Sequence, residues 1–458
     1  MNAQAMIASR PRTFLRQVTG VTFRISLALT LLVPLPASAQ TGLQGIWQGA
    51  WIRSGAALPV TFTCQQVDST VTGSFGSDQL RVVGIPLSKI SYRSPAVHFE
   101  IVGDATTMAF DGIMAGDSIS GTFKDGTAEG QFVLRRASKI AANPYRTEEI
   151  SFQNGDAKLA GSLLVPTDGK QRHPAILFLH GSGAEGRFAS RFLADLFARQ
   201  GIAALIYDKR GVGASTGNWR NSTFSDLAQD AIAGLELLKT RQDIDARRIG
   251  IFGHSQGATI APLVASRSPI VSFVIASAAS GLPAAEVERF SLHNSLGAEE
   301  LTADEAREAQ RYVDLVVESG RLGYRTPALD SAVRRDSSTK WFFPIPPNDS
   351  YYWKFSKEIA DYNAATYWKS VHVPVLLLYG EKDRRVPVKE SAENIEAALK
   401  AAGNRRYTVR IFPNANHTLR LPSSGTGFAW PTNPPGYLET LQRWTSDVTR
   451  ESPHISVR

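Results

Sequence analysis

The stretch Arg248-Ile-Gly-Ile-Phe-Gly-His-Ser-Gln-Gly-Ala258 sets Ser255 between two glycines in the spacing Gly-x-Ser-x-Gly. An apolar strand pattern runs into it and a helical pattern leaves it from Gln256. In that context the chain must turn so tightly that only glycine fits two positions before and after the serine, at Gly253 and Gly257. The hydroxyl then stands above a sheet, beside the amide-rich start of a helix that favours developing negative charge. The chemistry is nucleophilic attack, provided a base removes the hydroxyl proton.

The chain has eight histidines from which to draw that base. His98 falls in an N-terminal region of different pattern, His173 precedes a strand, His293 lies in a later insertion, His372 leads into a strand and His454 is in the tail. His254 is held in the turn itself, and His180 ends a strand where it shapes a loop. His417, in Pro413-Asn-Ala-Asn-His417, follows the last strand and comes after both the serine and an acid. It is the expected base. The acid that orients it comes from Gly380-Glu-Lys-Asp-Arg-Arg-Val-Pro387, where Asp383 is favoured and Glu381 is the rival. Two backbone N–H groups should receive the oxyanion, one from Gln256 and one from Ser182 in His180-Gly-Ser-Gly183, with Gly181 as the neighbouring possibility. Gly181 and Gly183 let that loop approach a substrate.

These groups need a scaffold that ends several strands at one edge. Apolar runs at 175–180, 203–207, 248–252, 271–276, 373–379 and 407–412 alternate with helical patterns near 190–199, 226–240, from 256, and 437–448. Continuous apolar strands between helices predict a mostly parallel sheet covered on both faces, with chemistry at the strands' carboxyl ends. A hairpin across Asn154-Gly155 should open this region.

Five stretches, His180-Gly-Ser-Gly183, Asp208-Lys-Arg-Gly-Val-Gly-Ala-Ser215, Gly253-His-Ser-Gln-Gly257, Gly380–Pro387 and Asn416-His417, together resemble the α/β-hydrolases, in the family's order and on the matching elements. The likeness covers residues 146–458 and is similar to bacterial exported hydrolases of esterase or serine-aminopeptidase-like type, some of which carry a small β domain in front. It implies an α/β-hydrolase fold with an inserted cap. Asp208 and Arg210 are read as braces for loops near the site.

The cap should occupy 283–370. Thr302-x-x-Glu305 predicts a capped helix start and Gly320 its stop. Residues 341–368 hold ten aromatics, a local enrichment over the 9% of the whole chain. As a lid, Trp341, Phe342, Phe343, Tyr351, Tyr352 and Trp353 would wall an acyl or aromatic pocket; packing of the cap against the body is the other use for them.

Residues 40–140 read instead as short alternating strands at about ten-residue spacing, a small all-β barrel or sandwich. They gather no catalytic spacing, so an accessory role is expected, with a carbohydrate- or lipid-binding module as the alternative. Ala141–Pro144 is the expected linker.

Composition narrows the partners. The 458 residues carry a formal charge of +8, but residues 1–40 contribute four arginines and no acid, leaving only +4 on the remainder. That dilute surplus argues against nucleic acid. Residues 1–39 combine arginines, the apolar run Ile25–Leu35 and Ala37-Ser-Ala39, the three parts of a cleavable secretory signal, too short to span a bilayer. Pro11 separates Arg10 from Arg12, which favours general secretion over a twin-arginine route. A periplasmic or secreted protein with no membrane anchor after cleavage is therefore expected. A single cysteine, Cys64, excludes an internal disulfide and reads as a small core residue. The expected activity is hydrolysis of small-molecule carboxylic esters without metal or organic cofactor. Amide hydrolysis by the same triad is the alternative, and a binding protein with a vestigial triad the remote one.

Overall fold

The structure, a computed structural model, describes residues 42–67, 70–102, 106–137, 143–296, 301–422 and 428–450. The expected signal segment, and Ala141 and Ala142 of the expected linker, lie outside these residues.

The N-terminal region is one antiparallel sheet of nine strands: β1 (Gly45–Arg53), β2 (Ala56–Val67), β3 (Thr70–Ser77), β4 (Val82–Pro86), β5 (Ser88–Arg93), β6 (Ala96–Val102), β7 (Thr107–Ala115), β8 (Ser118–Asp125) and β9 (Ala128–Arg136). Their order is β4-β3-β2-β1-β9-β8-β7-β6-β5, and the sheet curls until Leu87 N–H bonds the Gly73 carbonyl at 2.8 Å, nearly closing a barrel. Period-two alternation turns Trp47 and Trp51 of β1 inward, with Leu58, Val60, Phe62 and Cys64 of β2. Trp51 stacks on Phe75 with ring centroids 4.6 Å apart, and Phe99 on Phe110 at 4.7 Å. The interior is thus filled by rings, with a small apolar void beside Cys64. Strands β4 and β5 lack the alternating buried residues of their neighbours. Gly84 and Pro86 weaken the strand signal of the first, and the second turns only Ile90 and Tyr92 toward the core.

The second region is an eight-stranded sheet. β10 (Tyr145–Asn154) and β11 (Ala157–Pro166) form the expected hairpin, and β12 (His173–Leu179) follows. Then come α1 (Arg191–Ala198), β13 (Ala203–Tyr207), α2 (Phe224–Thr240), β14 (Ile244–His254), α3 (Gln256–Arg267) and β15 (Val271–Ser277). Sheet order is β10-β11-β13-β12-β14-β15, then β16 (Val375–Gly380) and β17 (Tyr407–Phe412). From β13 onward every neighbouring pair is parallel. Every residue of β12 and β16 is buried, as strands covered on both faces must be. One face packs on α2 and α3, the other on Phe197 of α1 and Leu441 of the C-terminal helix.

Between β15 and β16 five helices form a cap: α4 (Ala284–Ser295), α5 (Ala303–Leu322), α6 (Pro327–Asp336), α7 (Tyr351–Ile359) and α8 (Ala364–Trp368). After β16 come α9 (Val388–Ala401), then β17 and α10 (Tyr437–Arg450). Helix α5 opens with the expected capping box of Thr302 and Glu305. It stops at Gly323, not Gly320: Gly323 takes the left-handed cap at φ +88°, while Gly320 sits inside the helix, where a Cβ would lie 3.2 Å from Ser356 of α7.

Candidate active site

At the junction of β14 and α3, Ser255 has φ +55°, a conformation rare for a residue with a side chain. Its N–H is held by the Ser277 carbonyl of β15 at 2.9 Å. The flanking glycines are sterically required. A Cβ on Gly253 would fall 2.4 Å from the Gly257 carbonyl carbon, and one on Gly257 2.7 Å from the Leu179 carbonyl oxygen.

His417 reaches this turn from the loop after β17, with Nε2 3.0 Å from Ser255 Oγ. Its other nitrogen, Nδ1, lies 2.8 Å from Asp383 Oδ2. A carboxylate only accepts, so Nδ1 carries the proton and Nε2 is the acceptor for the serine hydroxyl. Asp383 is 6% exposed, and its second oxygen accepts the N–H groups of Arg385 at 2.7 Å and Val386 at 3.0 Å. Glu381 turns outward and accepts the Asn414 N–H at 2.9 Å, so the rival acid pins the histidine loop and does not touch the imidazole. Gly380 lets the two loops meet, since a Cβ there would lie 2.2 Å from the Asn416 carbonyl oxygen.

Ser182, Ser255, Gln256 and His417 line one cavity. Gly181 faces a different task, because its N–H goes to Glu185 Oε2 at 2.6 Å. Gly183 takes φ +96° where the loop turns. His180 donates from Nε2 to the Tyr207 carbonyl at 2.6 Å, and desolvation together with the nearby Lys209 cation pushes its pKa down to about 3. It is a neutral loop anchor. His254 is likewise pushed down to about 3, first by desolvation and then by His417, Arg81 and Arg385, and its Nδ1 lies 3.2 Å from Ser277 Oγ.

Sequence reasoning passed over Lys209. It is 2% exposed, and its ammonium donates to the carbonyls of Gly181 at 2.7 Å and Gly183 at 2.9 Å and to Gln256 Oε1 at 3.1 Å. Burial lowers its pKa to about 8, against the pull of the Glu185 carboxylate. The only sequence signal was its place inside Asp208–Ser215. The neighbours in that stretch brace loops: Asp208 pairs with Arg187 at 2.9 Å and accepts the Ala214 N–H, and Arg210 pairs with Asp230 at 2.6 Å.

None of the six cap aromatics expected to wall the pocket lines the cavity that holds Ser255. Trp341, Phe343, Tyr352 and Trp353 are buried in the cap's own core with Tyr312, Phe342 packs on that core, and Tyr351 meets Trp219 edge-on at 5.3 Å. Tyr312 of α5 meets the rings of Trp341, Phe342 and Phe343 at centroid distances of 5.9, 5.5 and 5.2 Å. Val287, Ile359 and Tyr362 of the cap line the cavity that holds Ser255, and Phe224 of the body meets Tyr362 edge-on at 4.8 Å. Two charged groups also face the cavity, Glu288 and Arg385. A second, smaller cavity adjoins through Ala284, Glu288 and Ile359, and Tyr352 lines it, donating to Glu288 Oε1 at 3.1 Å.

Residues 176–429 match the sequence model of the alpha/beta hydrolase family. The chain is similar to Esterase EstD of Thermotoga maritima, 24% identical over 319 residues that cover 67% of this chain and 69% of that protein. It is similar to Esterase FrsA of Yersinia enterocolitica, 30% identical over 222 residues, 45% of this chain and about half, 52%, of that relative. Among solved structures it is similar to an esterase of Pyrococcus furiosus at 17% identity and a TM-score of 0.42, covering 68% of this chain and 94% of that one. More than half of the chain matches the family's sequence model: the chain belongs to the alpha/beta hydrolase family and is a hydrolase.

Proposed function

We propose that the protein is a serine hydrolase that cleaves small carboxylic esters through an acyl-enzyme. The observation that carries this reading is the 3.0 Å approach of His417 Nε2 to Ser255 Oγ, on an imidazole whose tautomer Asp383 sets. Ser255 Oγ attacks the ester carbonyl carbon while its proton passes to His417 Nε2. The carbonyl π pair moves onto oxygen, which the N–H groups of Ser182 and Gln256 receive. As the tetrahedral species collapses, the alkoxide leaves and takes the proton from His417, giving acyl-Ser255 and free alcohol. A water that loses its proton to the same nitrogen then releases the acid and restores the serine.

The esterase names of two relatives support the ester as substrate. Amide hydrolysis is the second reading, and Glu288 on the cavity wall favours it, because a carboxylate there suits the free ammonium of an aminoacyl substrate. Turnover of p-nitrophenyl esters and of aminoacyl anilides, each with wild type and Ser255→Ala, tests both. Ester turnover that disappears in Ser255→Ala is expected. Activity surviving that substitution would overturn the mechanism, and faster anilide than ester turnover would favour the peptidase.

Export rests on the sequence of residues 1–39. The proposed cut follows Ala39, and N-terminal sequencing of the protein recovered from the periplasm or medium should begin at Gln40.

A further inference from the structure

We infer that Lys209 is the positioning residue of the oxyanion site, a single ammonium that ties the loop presenting the Ser182 N–H to the side chain of Gln256, whose own N–H is the second donor. This rests on the serine-hydrolase reading above. Three acceptors surround Nζ: the carbonyls of Gly181 and Gly183, on either side of Ser182, and Oε1 of Gln256. An ammonium has three N–H groups, so every donor is used and both halves of the oxyanion site share one point of attachment.

Burying a lysine charge is costly, and three uncharged oxygens offset only part of that cost. An apolar side chain would fill the same space without it. The charge gains its use when an anion forms beside it, as the carbonyl oxygen does in the tetrahedral species, in a site where water is scarce and fields act at close range. The groups that face the ammonium fit that role. Glu185, on the same loop, holds the Gly181 N–H and favours the charged lysine. His180 stays neutral, Asp208 is turned to Arg187, and the Trp219 ring centroid lies 5.5 Å away.

Deprotonation leaves two N–H groups for three acceptors, and one half of the site loses its tie. The value of about 8 places that loss on the alkaline side of the activity range.

The test is the pH profile of kcat and KM for a p-nitrophenyl ester with wild type, Lys209→Met, Lys209→Arg and Ser255→Ala, each normalised to the folded fraction by circular dichroism. The wild type should lose kcat above about pH 8. Lys209→Met should lower kcat roughly 10- to 100-fold with KM nearly unchanged, and should lack the alkaline decline. Lys209→Arg, charged throughout, should recover part of kcat and also lack the decline. A Lys209→Met kcat within twofold of wild type, a rise confined to KM, or an alkaline decline that persists in Lys209→Arg would overturn the inference. If Lys209→Met does not fold, a wild-type kcat flat to pH 10 overturns it on its own. Activity retained in Ser255→Ala would instead sink the serine mechanism, so the two failures are separable.

Discussion

Arg81, on the turn between β3 and β4, donates from Nη2 to the backbone carbonyl of Thr418, the residue that follows His417. The tie is returned: Arg420 donates to the carbonyls of Gln79 and Leu80 on that same turn. Further along the segment, Trp430 Nε1 bonds the Ala56 carbonyl of β2 at 3.0 Å and its ring faces Trp51 at 6.4 Å. The β region therefore grips the loop that carries His417. A domain whose interior is filled by its own rings has this edge as its visible link to the chemistry.

That grip should matter to turnover more than to binding. Effective proximity falls steeply with small displacements of a reacting group, so loosening the histidine loop should cost kcat. Arg420→Met is expected to lower kcat on a p-nitrophenyl ester roughly 3- to 30-fold with KM little changed. Steady-state kinetics checks it, and an unchanged kcat in the folded variant would refute it.

Asp208 should contribute to stability in a pH-dependent way. Burial raises its pKa, but the Arg187 side chain and the N–H groups of Arg187 and Ala214 outweigh this and hold the carboxyl below the ordinary value. A depressed folded-state pKa means that the stabilisation is fully present above about pH 4 and disappears as pH falls through the folded value. Asp208→Asn should therefore destabilise by about 3 kcal/mol at pH 7, because Arg187 loses its buried partner. The urea midpoints of variant and wild type should converge as pH falls through the folded value, and a gap that does not narrow with falling pH would contradict this account.

Cys64 should be chemically quiet. It lies 7% exposed in the β core, and burial pushes its thiol up to about 11. A thiol-disulfide reagent at pH 8 should label the native protein slowly and the unfolded protein at once. Cys64→Ala should keep kcat within about twofold of wild type, since the residue packs and does not react. Loss of activity in a folded variant would assign it another role.

The serine turn and the loops of Asp383 and His417 could be read from the chain because each is a local event: a strand ends, a glycine allows a turn, and a polar side chain follows. The parallel strands could be read because burial on both faces writes them as unbroken apolar runs. Lys209 could not. A lysine between Asp208 and Arg210 looks like any solvated charge, and its burial depends on two loops and a helix start that meet only in three dimensions. The cap aromatics failed for a related reason. Composition shows that rings are concentrated over 341–368, but which way they face is set by how the cap's segments pack on one another, and no local pattern records that. Gly320 and Gly323 differ only in which one meets the neighbouring helix, again a tertiary matter.

Ile359 should set the limit on substrate length. It lines both the cavity over Ser255 and the adjoining one, as do Ala284 and Glu288. Of these three, it is the bulky apolar side chain, so its truncation should join the two spaces with little added polarity. A longer acyl or alkyl chain would then find apolar surface near Tyr352 and Val317 in place of water. Each methylene that gains such contact is worth about 0.8 kcal/mol of burial. Ile359→Ala should therefore raise kcat/KM for p-nitrophenyl decanoate relative to the butanoate by about tenfold or more, within the range that hydrophobic pockets discriminate. The comparison needs both esters measured on both proteins below their micelle concentrations. If the ratio stays at the wild-type value while the variant remains folded and active on the short ester, the second cavity does not receive the chain, and substrates must extend past Arg385 instead.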